Sequence, residues 1–162
     1  MKDVPLFPLP LVLFPGGKLS LQIFEARYLD MVKTCLREQA GFGIVMITDG
    51  DRILASPDQQ LPEISHCGTY CSIVDFDQSS NGMLSIVVKG DRKFVIRDQY
   101  EQPDRLMMAN VEFLATEKDV VVPEERQHLS ELLESLMVHE AVQRLGLDCD
   151  LGQAVEVGAR LT

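Results

Sequence analysis

The chain has 162 residues, 46% of them hydrophobic, and 15 Lys+Arg against 25 Asp+Glu give a formal net charge of −10. A domain usually takes roughly 100–200 residues, so the length fits one domain or one domain with an appendage, and about 70% of its unfolded surface can be buried without staples. The charge repels phosphate and anionic lipid, which argues against nucleic acid and membrane surfaces as partners. The acid is uneven: residues 1–116 hold 15 acids and 11 bases, whereas residues 117–162 hold 10 acids and 4 bases.

No stretch approaches the ~20 apolar residues of a membrane span. The start, Met1-Lys2-Asp3-Val4-Pro5, lacks the apolar helix and small-residue cleavage site of a signal peptide. Cys35, Cys67, Cys71 and Cys149 are too sparse for a disulfide framework and read as reduced thiols of a cytoplasmic protein.

In chain order, Pro5, Pro8, Pro10 and Pro15 exclude a helix and disfavour a central strand, because each removes a backbone donor. Leu6, Phe7, Leu9, Leu11, Val12, Leu13 and Phe14 are too apolar for a linker. An edge strand or a buried arm is expected. Pro15-Gly16-Gly17 is a turn, and Leu19 to Ile23 alternates as a half-buried strand. From Glu25 to about Gln39 the period becomes helical. Tyr28, Leu29, Val32, Cys35 and Leu36 share one face, Glu25 and Arg37 suit the two dipole ends, and Gly41 sits just past the end. Phe42 to Ile47 reads as a buried strand and residues 48–65 as loop.

Strands follow at Thr69–Phe76 and Met83–Lys89, with a turn at residues 79–82. Gly90-Asp91 reads as a hairpin turn into Phe94-Val95-Ile96. Pro103-Asp104 makes another turn before a last strand, Met107–Phe113. Pro123, Glu124 and Glu125 open a helix whose apolar face runs from Leu129 to Leu145. Gly146 ends it after about 23 residues. Asp148 or Asp150 is a candidate cap for a second helix through Val155 to Leu161.

Chemistry is hard to find. Pro15-Gly16-Gly17-Lys18 lacks the spacing of a phosphate loop and precedes a strand. His139-Glu140 begins a zinc-protease pattern, but Gln143 stands where the second imidazole belongs. His66, Cys67 and Cys71 are a possible metal cluster, yet in a strand Cys67 and Cys71 lie roughly 13 Å apart. No serine elbow is present, and no lysine sits in a nucleophile motif. Lys89, Arg92, Lys93 and Arg97 form the one basic cluster, read as a solvated hairpin tip.

Pro5-Leu6-Phe7-Pro8-Leu9, Val12-Leu13-Phe14-Pro15-Gly16 and Leu19-x-Leu21-x-Ile23-Phe24-Glu25-Ala26-Arg27-Tyr28 open an ordered series of motifs. Phe42-Gly43-Ile44-Val45, Cys67-Gly68-Thr69, Asp75-Phe76, Asn81-Gly82-Met83-Leu84-Ser85-Ile86 and Gly90-x-Arg92-Lys93-Phe94-x-Ile96 continue it. Together they resemble the N-terminal substrate-binding domain of Lon proteases, found also in small stand-alone bacterial proteins of the peptidase S16, Lon-domain type. The resemblance covers residues 4–115 well and the tail loosely. Ser20 and Ala26 stand where the family often has Pro, and Lys93 where Arg is frequent. Family members usually continue beyond Val157–Thr162, so a truncated tail is one reading of that end.

The resemblance implies a mainly β, α+β fold: a PUA-like pseudobarrel of about six strands with one packed helix over residues 1–118, then a helical segment over 119–162. It implies a non-catalytic module that recognises unfolded or client proteins, with a protease acting in trans as a candidate partner. The family's ATPase and Ser-Lys peptidase modules are not expected in 162 residues, and no cofactor or metal is expected. An RNA-binding PUA-like module and an enzyme with an unrecognised hydrolytic site are the alternatives. The candidate contact residues are Phe14, Pro15, Phe24, Glu25, Arg27 and Tyr28. Exposed apolar surface near Phe14, Pro15 and Phe24 is the preferred place. Glu25 and Arg27, two apart on a helix, are expected to need different partners. Arg27 should tie the helix to the sheet or a loop, and Tyr28 should pack in the core with its hydroxyl bonded at the rim.

Overall fold

The computed structural model describes residues 2–118 and 120–143. Its first compact unit runs to Ala115. Strands β1 (Lys2–Leu9), β2 (Lys18–Ile23), β3 (Phe42–Asp49), β4 (Glu63–Gln78), β5 (Leu84–Glu101) and β6 (Met107–Phe113) form one sheet, with helix α1 (Ala26–Glu38) after β2. The strand order is β2-β5-β4-β3-β1-β6, and β5 also pairs with β6. That last pairing closes five strands into a barrel and, among the described residues, leaves β2 attached to β5 alone.

The proline-rich start is an inner strand rather than an edge or an arm. Lys2–Pro5 pair antiparallel with Val111–Met108 of β6, and Leu6–Leu9 pair parallel with Gly43–Met46 of β3. Each half is paired on one side, so it needs only alternate amides, and Pro5 and Pro8 are tolerated. Both faces of the strand are buried, which is why it reads as a nearly continuous apolar run. Val4 and Leu6 face a core with Val45, Phe94, Ala109 and Val111, while Phe7 and Leu9 face a second with Tyr28, Met31, Val32, Phe42 and Ile86.

The hairpin expected at Gly90-Asp91 is absent, and β5 runs straight through it. Tyr70 pairs with Arg92 and Cys71 with Gly90, so Asp91 is the extra residue of a bulge. Gly90 is required for contact rather than turning. A Cβ there would lie 2.4 Å from the Phe14 carbonyl oxygen. The expected basic tip is therefore four side chains spread along a strand. Arg97 is ion-paired with Glu112 at 2.6 Å, and the Arg92 guanidinium lies over the Phe113 ring at 5.0 Å.

In α1 the residues Arg27, Tyr28, Met31, Val32 and Cys35 are buried, as the helical period requires. Glu25 is not in the first turn. It is the N-cap, with extended backbone (φ −75°, ψ 133°). The left-handed residue that ends the helix is Gln39 (φ 53°), not Gly41, whose missing Cβ instead makes room for the Cys71 carbonyl.

The second unit begins at Thr116. It holds a 3-10 turn at Glu124–Arg126, α2 (Gln127–Met137) and the short α3 (Glu140–Gln143). The expected 23-residue helix is thus broken at Val138-His139. His139 Nδ1 accepts the Ala141 N–H at 3.3 Å, and its carbonyl accepts Val142 and Gln143, so this imidazole starts a new helix instead of continuing the old one. The expectations for Leu145, Gly146 and the helix after Asp148 or Asp150 fall outside the described residues.

Candidate functional site

The six candidate contact residues do not share one place. They sit at the two ends of β2, a strand about 17 Å long at ~3.4 Å per residue.

At one end the Leu13–Gly17 turn is clamped to the barrel by its backbone. The Thr69 hydroxyl donates to the Leu13 carbonyl (2.5 Å), Gly16 N–H to the Gly90 carbonyl (2.9 Å), Gly90 N–H to the Gly17 carbonyl (2.9 Å) and Gly17 N–H to the Phe14 carbonyl (2.9 Å). This rigid turn presents Phe14, 40% exposed, beside Val12, 53% exposed, with Pro15 half-buried.

At the other end Phe24, 48% exposed, precedes α1 over a corner built from arginines. Arg27 is buried. Its Nε and Nη2 donate to Glu25 Oε2 (3.2 and 3.0 Å), Nη1 to the Arg105 carbonyl (2.8 Å) and Nη2 to the Arg52 carbonyl (3.2 Å). Glu25 and Arg27 are therefore partners. Because the cap residue is extended, its side chain folds back over the helix start instead of pointing away. Arg27 also holds two loops at once. Arg105 closes the corner from the other side, donating to the Gln59 carbonyl (2.6 Å) and to that of Pro57, and pairing with Glu101 (2.5 Å). Arg52 lies over the rings of Phe7 (5.8 Å) and Phe24 (5.9 Å).

Tyr28 is buried against Phe7, ring centroids 4.3 Å apart. Burial pushes its phenol up to about 12, partly offset by the Arg27 guanidinium over its ring. Its hydroxyl has no rim partner among the described residues. Arg27 and Tyr28 thus shape the surface from beneath, and Phe14 and Phe24 are the candidates that reach solvent.

Two further large apolar residues, outside the six candidates, are exposed. Phe76, 58% exposed, lines a shallow groove of about 310 Å³ with Leu21, Gln22, Asp75 and Asp77, and Ile53 is 48% exposed. The apolar end of the Thr69–Phe76 strand was visible. Beyond the bulge between Ile73 and Asp75, Phe76 stands opposite Ile86 of β5.

A second cavity, about 330 Å³, lies between the start of β1, α1 and the turn after β5. Its Cys35 thiol donates to the Gly41 carbonyl (3.6 Å), and its Tyr70 hydroxyl accepts the Gly41 N–H (2.6 Å). Burial pushes Cys35 up to about 11 and Cys71 up to about 12, so both stay protonated thiols. Cys67 is exposed four residues along β4 from the buried Cys71. Among the described residues no group of three His, Cys, Asp or Glu is placed to hold a metal ion, and no helix is long and apolar enough to cross a membrane.

The geometry is that of a closed β-barrel with exposed aromatics at the two ends of the strand attached to its side. The ATP-dependent protease La (LON) substrate-binding domain family matches residues 3–155, and the chain belongs to that family. A Lon N-terminal domain protein from Xanthomonas campestris is similar over 85% of this chain and 75% of its own, at 30% identity and a TM-score of 0.68. The N-terminal domain of the Mycobacterium avium complex Lon protease shares the fold at 16% identity and a TM-score of 0.55, over 99% of this chain and 76% of its own. No curated protein matches the chain.

Proposed function

We propose that this chain is a non-catalytic recognition module for unfolded polypeptides, with Phe14, Pro15 and Phe24 as its contact surface, acting alone or in the service of a protease supplied in trans. The observation that carries the reading is the pair of exposed aromatics, each held on a pinned support at one end of β2. Rigid apolar side chains lose little conformational freedom on binding and bury much area. Membership of a substrate-binding family agrees with it. The RNA reading loses support from the basic cluster, since Arg97 is neutralised by Glu112 and Arg92 is stacked on Phe113.

The test is fluorescence anisotropy with reduced, carboxymethylated α-lactalbumin, which cannot refold. The protein should bind it, leave it uncut, and ignore the native form. A Phe14→Ser/Phe24→Ser double variant should bind at least tenfold more weakly. Equal binding by the variant, or none by the parent protein, contradicts the proposal.

A further inference from the structure

We propose that the open edge of β2 takes up an extended segment of the client as an added strand, main chain to main chain, between Phe14 and Phe24. This rests on the polypeptide-recognition reading and specifies how that surface holds its substrate. Among the described residues β2 pairs with β5 and with no other strand, in uninterrupted register from Lys18 opposite Lys89 to Ile23 opposite Leu84. The Gly90 N–H bond to the Gly17 carbonyl sets the phase of that ladder. Antiparallel pairs alternate between bonded and non-bonded, so Leu19, Leu21 and Ile23 turn their amides to β5. Ser20 and Gln22, both with exposed side chains, then direct their N–H and C=O groups to the open edge.

Open edges are normally guarded by charge, proline, bulges or cover. Beyond the end of β3, the far half of β4 is guarded in this way, with a register break between Ile73 and Asp75 and acids at Asp75 and Asp77. β2 has no bulge, and neither proline nor charge between Leu19 and Ile23. Strand addition draws its affinity from main-chain bonds and is therefore tolerant of sequence, which suits a module that takes unfolded chains. Lys18 at its start is the one charge on β2, and Ser20 and Gln22, whose amides face the open edge, are uncharged. The preferred segment is therefore extended and uncharged along its paired length.

The probe is a fluorescein-labelled decapeptide of alternating valine and threonine with a lysine at each end. A second peptide of the same sequence has its amides N-methylated along both edges. The parent protein should bind the first and bind the second at least tenfold more weakly. Ser20→Pro removes one outward donor and none from the ladder, so it should keep the parent's urea midpoint and lose at least tenfold in affinity, whereas Ser20→Ala should bind as the parent does. Equal binding of both peptides overturns the strand-addition proposal, and so does unchanged binding by a folded Ser20→Pro. If the unfolded α-lactalbumin still binds in that case, the recognition reading stands. Failure of the parent to bind that protein defeats both. Should Ser20→Pro fail to fold, the peptide pair decides.

Discussion

The two ends of β2 present the same kind of side chain on different foundations. Phe14 rides on a turn fixed almost wholly by main-chain bonds and by the close approach of Gly90. Phe24 rides on a corner fixed by buried guanidinium groups that bind loop carbonyls. A backbone clamp depends on shape and is indifferent to charge. An arginine corner depends on satisfied charge in a place water barely reaches, so losing one partner leaves others stranded.

The largest effect should therefore come from Arg27→Ala. It strips the Arg52 and Arg105 carbonyls of a donor and leaves the Glu25 carboxylate, whose Oε1 is already buried without a hydrogen bond, without its cation. The expected loss is roughly 3 kcal/mol in urea unfolding, and protease cleavage should begin in residues 50–62. A loss below about 1 kcal/mol would show that the corner is held by packing instead.

Gly90→Ala comes next. Its Cβ would meet a backbone oxygen, which cannot swing away as a side chain can. A loss of roughly 1–3 kcal/mol is expected, accompanied by NMR shifts at residues 13–17 and not at the Phe24 corner. Shifts at both ends would show that the two supports are one.

The last effect is silent at neutral pH and belongs to the core between the two supports, where Tyr28, Cys35 and Cys71 are buried. Tyr28 ionises at about 12 against an ordinary 10.0, Cys71 at about 12 against 9.0 and Cys35 at about 11 against 9.0. Each folded value is raised, so each contribution is full below the ordinary value. It is lost as pH climbs toward the folded value, because the unfolded chain sheds a proton the native state keeps. The urea midpoint should be flat to about pH 9 and then decline, at up to ~1.4 kcal/mol per pH unit for each group. A midpoint that holds to pH 11 would contradict the burial of these three groups.

Much of the frame was readable without coordinates, for physical reasons that differ by element. β2, β6 and α1 carry periods of 2 or 3.6, β3 opens as a continuous buried apolar run, and Met107–Phe113 matches β6 at both ends. β1 was misplaced because proline statistics assume a strand paired on both sides throughout, and this one changes partner between Pro5 and Leu6. β5 was cut in two because glycine serves turns and close approaches alike, and only the Phe14 carbonyl tells them apart. The site was half legible. Phe14 and Phe24 stand out as aromatics in loops. That they flank opposite ends of β2, and that an extended cap turns Glu25 onto Arg27, are facts of three dimensions.

The most direct measurement is an ¹H–¹⁵N NMR titration of the protein with the unfolded α-lactalbumin probe. Recognition at this surface predicts shifts concentrated in residues 12–24 and around Phe76, with the cavity beside Cys35 unmoved. Shifts confined to that cavity, or none at millimolar probe, would contradict it.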